Sequence, residues 1–78
     1  MVFADHGEND GIEISVNINT ATAEELDILL IGIGPTKAAA IVKHREEFGL
    51  FDTVEALTDV RGIGWSTMDK NRHRILIW

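Results

Sequence analysis

The chain has 78 residues, 45% of them hydrophobic, with 13 acidic and 7 basic side chains and a formal net charge of −6. That length suits one small domain, able to bury about 60% of the surface its unfolded chain would expose, and leaves no room for a second. The absence of cysteine excludes disulfides and thiolate metal sites, and no apolar run approaches the ~20 residues needed to span a membrane.

The charge is unevenly placed. Residues 1–27 hold seven acids and no base, whereas residues 28–78 hold six acids and seven bases, so the first part carries −7 and the second +1. Lys37, Arg61, Lys70, Arg72 and Arg74 fall at or just after two glycine-bearing turns, where the local field is more positive than the total. Long-range attraction of a polyanion should still be weak.

Residues 1–13 read as a flexible acidic N-terminal tail, without hydrophobic period. Val2 and Ala4 fit the small-x-small pattern of a signal-peptidase site with Asp5 opening the mature chain, although no charged or apolar leader region precedes them. His6, Glu8 and Asp10 invite comparison with a calcium loop built on Gly11. The comparison fails, because Asn17 would stand where a bidentate glutamate is required. Ile12, Ile14, Val16 and Ile18 alternate with polar residues, which predicts a short extended segment lying along a helical core. The only segment suited to pair with it is Ile75-Leu76-Ile77-Trp78, as a minor feature.

Four helices are predicted after that. Thr22 and Glu25 form a capping box that opens the first, which places Leu26, Leu29 and Leu30 on one face and stops at Gly32. Pro35 opens the second, with Ala38, Ile41, Val42, Arg45 and Phe48 at helical spacing and Gly49 just past its end. Asp52-Thr53-Val54-Glu55 reads as a second capping box, ahead of a third helix carrying Ala56, Leu57 and Val60 inward. The fourth runs from Trp65 or Ser66 to about Arg74, with Met68, Arg72 and Ile75 on one face. The fold class is therefore all-α, two helix-turn-helix units that must pack together because neither apolar face suffices alone.

The two turns repeat. Gly32-Ile33-Gly34-Pro35-Thr36-Lys37 returns as Gly62-Ile63-Gly64-Trp65-Ser66-Thr67 in matching context. Gly32 and Gly62 allow the backbone to enter positive φ and leave a helix abruptly, and Gly34 and Gly64 keep side-chain bulk off the outer surface. Backbone N–H groups at the start of the following helix lack internal partners and lie at the positive end of its dipole, which makes an anion site suited to phosphate. The expected donors are the amides of Ile33, Gly34, Thr36 and Lys37 with the Lys37 ammonium, and those of Ile63, Gly64, Ser66 and Thr67 with Lys70. Pro35 fits the first helical position and has no N–H to offer. The plainer reading is that each Gly-Ile-Gly joins two helices with its isoleucine plugging the core. The two roles are compatible.

These pieces together resemble one family. Val16-Asn17-Ile18-Asn19-Thr20-Ala21-Thr22-Ala23-Glu24-Glu25-Leu26, the first Gly-Ile-Gly-Pro-x-Lys-Ala, Ile41-Val42, Arg45, Gly49-x-Phe51 and the second Gly-Ile-Gly are similar to the helix-hairpin-helix DNA-binding domain of the ComEA competence family, over roughly residues 14–76. The resemblance implies a tandem helix-hairpin-helix domain over 14–78 that binds double-stranded DNA through its backbone without reading sequence. It also implies a role in DNA uptake during natural transformation, beside an uptake machinery in the periplasm, for a secreted protein whose signal peptide is absent from this chain. The phosphate-contacting turns carried over are Gly32 to Lys37 and Gly62 to Thr67.

Departures from the family pattern concern these same turns. Ile31 and Trp65 stand where proline is common, and one residue more separates Leu26 from Gly32 than Leu57 from Gly62.

The residues agree with backbone contact, since no helix offers an Arg, Asn and Gln face suited to the major groove. A monomer in isolation is expected, with no cofactor, metal or catalytic site. His44 and His73 read as solvated helix-face histidines, and Asp52, Asp59 and Asp69 as cap or surface acids. The alternatives from other classes are a helical protein-interaction module and an accessory domain of a DNA-repair enzyme.

Overall fold

The computed structural model describes residues 14–78. The tail expected over 1–13, with its Val2-x-Ala4 pattern and its His6, Glu8 and Asp10, lies outside them, as does Ile12. In chain order come strand β1 (Val16–Asn17), helix α1 (Ala23–Leu29), helix α2 (Gly34–Phe48), a 3-10 helix (Glu55–Asp59), helix α3 (Trp65–Asn71), a second 3-10 turn (Arg72–Arg74) and strand β2 (Ile75–Leu76).

Helix α1 starts as its sequence dictates. The Thr22 hydroxyl accepts the Glu25 amide at 3.1 Å, and the Glu25 carboxylate accepts the Thr22 amide at 2.9 Å. Helix α2 ends on Gly49, whose φ of 97° is open to glycine at little cost, with its N–H bonded to the Arg45 carbonyl. Helices α1 and α2 form the most extensive contact between elements.

The expectation of four α-helices is corrected to three among the described residues. The third is a five-residue 3-10 helix, closed by bonds such as Val60 N to Leu57 O at 3.0 Å. Two local bonds account for this. The Thr58 hydroxyl donates to the Glu55 carbonyl at 2.8 Å, the oxygen that an α-helical ladder would offer to Asp59. The Thr53 hydroxyl accepts the Ala56 amide at 3.1 Å, so this threonine does the capping. Val54 occupies the cap position, and Glu55 pairs with Arg72, so the second capping box does not form. The fourth predicted helix is also shorter, because α3 gives way to the 3-10 turn at Arg72.

One core joins everything, made of Val16, Ile18, Leu26, Leu30, Ile33, Ala38, Ile41, Phe51, Leu57, Val60, Ile63, Met68 and Ile75 with Ala21. Phe48, expected on the inner face of α2, is instead 74% exposed, since the helix ends there and the chain turns away at Gly49.

The two ends of the described chain meet. Strands β1 and β2 are parallel, with Val16 opposite Ile75 and Asn17 opposite Leu76, and Ile18 N donates to Leu76 O at 3.0 Å. The polar side of β1 does not face water, because Asn17 and Asn19 are buried alongside Val16 and Ile18. Asn19 accepts the Phe51 amide at 2.7 Å and donates to the Phe51 and Ile77 carbonyls at 3.1 and 2.8 Å. Arg45 reaches from α2 to the carbonyls of Ile18 and Ala21, at 2.8 and 2.7 Å. Buried polar groups are tolerated when their bonds are filled, and here they tie both ends of the described chain to α2 and to the segment after it.

Candidate functional site

Both glycine turns are sharp elbows built from the same pieces. In each, the residue after the last helical turn is extended, with φ −98° and ψ 142° at Leu30 and φ −76° and ψ 133° at Val60. A glycine at positive φ follows two residues later, Gly32 at 74° and Gly62 at 91°. A buried isoleucine, Ile33 or Ile63, then plugs the core. Next comes a glycine from which the following helix departs.

The one-residue difference in length has a simple origin. Leu30 N bonds back to Leu26 O, an α-helical step of four, while Val60 N bonds back to Leu57 O, a 3-10 step of three. The longer first arm is a wider helical turn that delivers its elbow in the same way.

Past the isoleucine the elbows differ. Gly34 has a φ of 71°, while Gly64 is extended at φ −97° and ψ −177°. Although α2 spans Gly34–Phe48, Gly34 itself lies at positive φ, outside the helical region, and by their place in the repeat Thr36 and Lys37 are the counterparts of Ser66 and Thr67. The first intrahelical bond of α3 is Met68 N to Gly64 O at 3.1 Å, which leaves the amides of Gly64, Trp65, Ser66 and Thr67 ahead of the ladder. One expected donor changes its role. Ile63 N bonds to Val60 O at 3.0 Å, closing a four-residue turn with the positive φ at its third position, so this amide is not an open donor. Ile33 N has no such turn bond among the described residues.

The site residues are accessible at the surface in different degrees. Gly32, Pro35, Thr36, Gly62, Gly64, Trp65, Ser66 and Lys70 are exposed, and Gly34, Lys37 and Thr67 are half-buried.

The elbows are neighbours. The aliphatic stem of Lys37, from the first turn of α2, lies over Gly62: a methyl group placed there would meet Lys37 Cγ and Cε at 3.6 Å. In the other direction α3 holds the first elbow. The carboxamide of Asn71, 1% exposed, accepts the Ile31 amide at 2.7 Å, and donates to the Ile31 carbonyl at 2.9 Å and the Thr67 carbonyl at 2.8 Å. Arg74 donates to the Leu29 carbonyl at 2.9 Å, occupying an acceptor at the end of α1. Each elbow is therefore braced by the helix that follows the other.

Asn71 was not singled out by the sequence, where helical spacing favoured Arg72 for the inner face. The available signal was its position three residues after Met68 and four before Ile75, on the apolar face itself.

Among the bases near the turns, Arg72 is committed locally. It pairs with Glu55 and with Asp69, the latter at 3.3 Å, and its guanidinium lies 5.6 Å from the centre of the Trp65 ring. The bond from Arg72 holds the Glu55 carboxyl below its usual range. Among the described residues, Lys37, Arg61 and Lys70 make no salt bridge, and Arg61 and Lys70 are exposed.

His44 differs from its reading as a solvated histidine. Its ring stacks on Phe51, with centroids 5.2 Å apart and planes at 10°, and lies 4.8 Å from Phe48, while His73 is exposed as expected. No group of His, Asp or Glu among the described residues is arranged to hold a metal ion, and no helix there is long and apolar enough to cross a membrane.

Comparison with known proteins places these elbows in context. A family model described as the helix-hairpin-helix motif matches residues 12–76. An uncharacterized protein of Haemophilus influenzae is 54% identical over 61 residues, covering 78% of this chain and 54% of the relative. The ComE operon protein 1 of Bacillus subtilis is 50% identical over 62 residues, covering 80% of this chain and 30% of that protein. A human protein named endonuclease/exonuclease/phosphatase family domain-containing protein 1 is 40% identical over 62 residues, which are 11% of its length. The chain thus spans about half or less of the length of these relatives.

Proposed function

The chain belongs to the helix-hairpin-helix family and is a ComEA-like member of it, and from that premise we propose that it binds double-stranded DNA through its backbone, without reading sequence, as a step in DNA uptake during natural transformation. The fold is read as two hairpin units, α1–elbow–α2 and the 3-10 helix–elbow–α3, the second having a shorter first arm. The observation that carries the proposal is the contact of Lys37 with Gly62, which sets the two glycine elbows side by side.

The donors assigned are the amides of Ile33, Gly34, Thr36 and Lys37 at the first elbow and of Gly64, Ser66 and Thr67 at the second. Lys37, Lys70 and Arg61 supply positive charge. Amides that precede a helical ladder attract anions through their own dipoles and that of the helix, and no side chain of the donor set reads a base edge. Two such elbows, one for each backbone across the minor groove, give binding by position alone.

The acidic total favours short-range contact over long-range steering. Periplasmic work beside an uptake machinery is part of the proposal and draws on the ComE operon relative. A binding role is proposed rather than a catalytic one. The similarity to a small part of the human protein supports a second reading, that this kind of unit serves as an accessory domain within a larger DNA-processing protein.

The test is fluorescence anisotropy with two unrelated labelled duplexes of equal length. Equal affinities are expected, with log K falling against log salt at a slope of about −3 to −5, the release expected from roughly three to six neutralised phosphates. Affinities differing by orders of magnitude between the duplexes, or no binding at low salt, would refute the proposal.

A further inference from the structure

The two elbows also differ in the side chain that follows the second glycine. The first carries Pro35, a small ring that cannot donate, while the second carries Trp65, the largest side chain available, 59% exposed at the start of α3. Tryptophan is on average a highly buried residue. This one is outside the core cluster, and its nearby cation is Arg72, 5.6 Å from the ring centre.

Arg72 is itself fixed. Glu55 on the 3-10 helix and Asp69 on α3 both bond its guanidinium, so the cation beside the indole is anchored from two elements. A cation held close to an aromatic ring attracts it electrostatically, and an anchored cation limits the orientations that the ring samples. Ordering costs of binding are smaller for a group already ordered. Trp65 is thus an aromatic surface, partly preset and largely open to solvent, adjacent in sequence to Gly64, Ser66 and Thr67.

From this, and resting on the reading of the elbows as a DNA-backbone grip, we propose that Trp65 is a stacking platform for a base face opened by an interruption inside the DNA, so that the second elbow prefers DNA in which the duplex is interrupted. The chemistry restricts the ligand. Inside an intact duplex both faces of every base are already stacked, and an indole has no base face to meet. At a gap a base face is free next to a backbone that the elbow can hold. Stacking of an aromatic side chain on a base tolerates any sequence, which keeps this site compatible with binding that does not read sequence. The first elbow, with Pro35, offers no such platform and grips only the backbone.

The experiment compares a labelled intact duplex with the same duplex lacking one internal nucleotide on one strand, using the full chain and the variants Trp65→Ala and Trp65→Phe. The wild-type chain should bind the gapped duplex about tenfold more tightly, a factor within the range of one base stacked on an aromatic ring. Trp65→Ala should abolish that preference while its affinity for intact duplex stays within about twofold, and Trp65→Phe, which keeps a ring, should retain part of it. Circular dichroism of each variant checks that helicity is kept.

Three results would overturn the inference: equal wild-type affinity for the two DNAs, a preference that survives in Trp65→Ala, or an equal loss on both DNAs in that variant, which would place the ring against the sugar edge of ordinary duplex. All three leave duplex binding itself intact. Failure of the wild-type chain to bind either DNA would instead remove the backbone grip on which the inference rests.

Discussion

The elbow at Gly32 to Lys37 and the elbow at Gly62 to Thr67 use nearly the same letters and reach their helices by different routes. The first leaves an α-helix, holds two glycines at positive φ and depends on a distant asparagine to fix Ile31. The second leaves a 3-10 helix, holds one glycine at positive φ and closes its own turn through Ile63 N and Val60 O. What repeats is the buried isoleucine between an abrupt exit and a new helix. The rest of the geometry is negotiated with neighbours, and a motif match therefore identifies the plug and the exit more securely than it identifies the donors.

This contrast can be broken most severely at Asn71. Asn71→Ala removes three bonds from a site that is 1% exposed and leaves the Ile31 amide and carbonyl without their partner. Three hydrogen bonds lost at about 1 kcal/mol net each give an expected loss of roughly 3 kcal/mol in urea unfolding. A loss below about 1 kcal/mol would mean that the first elbow holds its shape without Asn71.

Alanine at the exit glycines should come next. Gly32→Ala and Gly62→Ala force a side chain into positive φ, for about 1–2 kcal/mol each. The two should be alike, because the added methyl at Gly62 meets Lys37 only at ordinary contact distance.

The sharpest discrimination comes from the second glycines. Gly34→Ala is strained at φ 71° and should cost about 1–2 kcal/mol, as at Gly32. Gly64→Ala meets extended backbone and open space, and its unfolding midpoint should change by no more than about 0.5 kcal/mol equivalent. Equal costs at the two positions would erase the difference described between the elbows.

The smallest effect concerns the pair that anchors Arg72. The folded-state pKa of Glu55 lies below its ordinary value because Arg72 bonds the ionised form. A depressed carboxyl contributes stability above its unfolded pKa and loses it as pH falls through the folded one. Unfolding curves of the wild-type chain and Glu55→Gln should therefore converge as acid removes that contribution, and separate toward neutral pH. Curves that stay parallel throughout would deny the pair any role.

Features set by neighbours in sequence were legible. The Thr22–Glu25 box, the stop at Gly49, the plugging isoleucines and the two exits at Gly32 and Gly62 are decided within a few residues, and all appear as expected. The pairing of Val16–Asn17 with Ile75–Leu76 also appears, as the minor feature the sequence allowed. What the sequence hid depends on distant partners. Asn71 bonds Ile31 across forty positions and Asn19 bonds Phe51 across thirty-two, and although helical spacing puts Asn71 on the apolar face, nothing local names the partner of either asparagine.

The third helix was misread for a related reason. Its apolar spacing suits an α-helix and a 3-10 helix alike over so short a run, and the choice fell to the hydroxyls of Thr53 and Thr58. At the candidate site the glycines and Lys37 were visible, whereas the loss of the Ile63 amide to its own turn required the dihedral angles.

Gly64 offers the cleanest direct test of the proposed grip, since the backbone there is extended and an added Cβ meets no other atom within 4 Å. Anisotropy titration of labelled duplex against wild type and Gly64→Glu, with helicity checked by circular dichroism, is the measurement. If two adjacent elbows hold the backbone through their amides, the variant should remain folded and lose at least about tenfold in affinity. Undiminished binding by a folded Gly64→Glu chain would contradict the account.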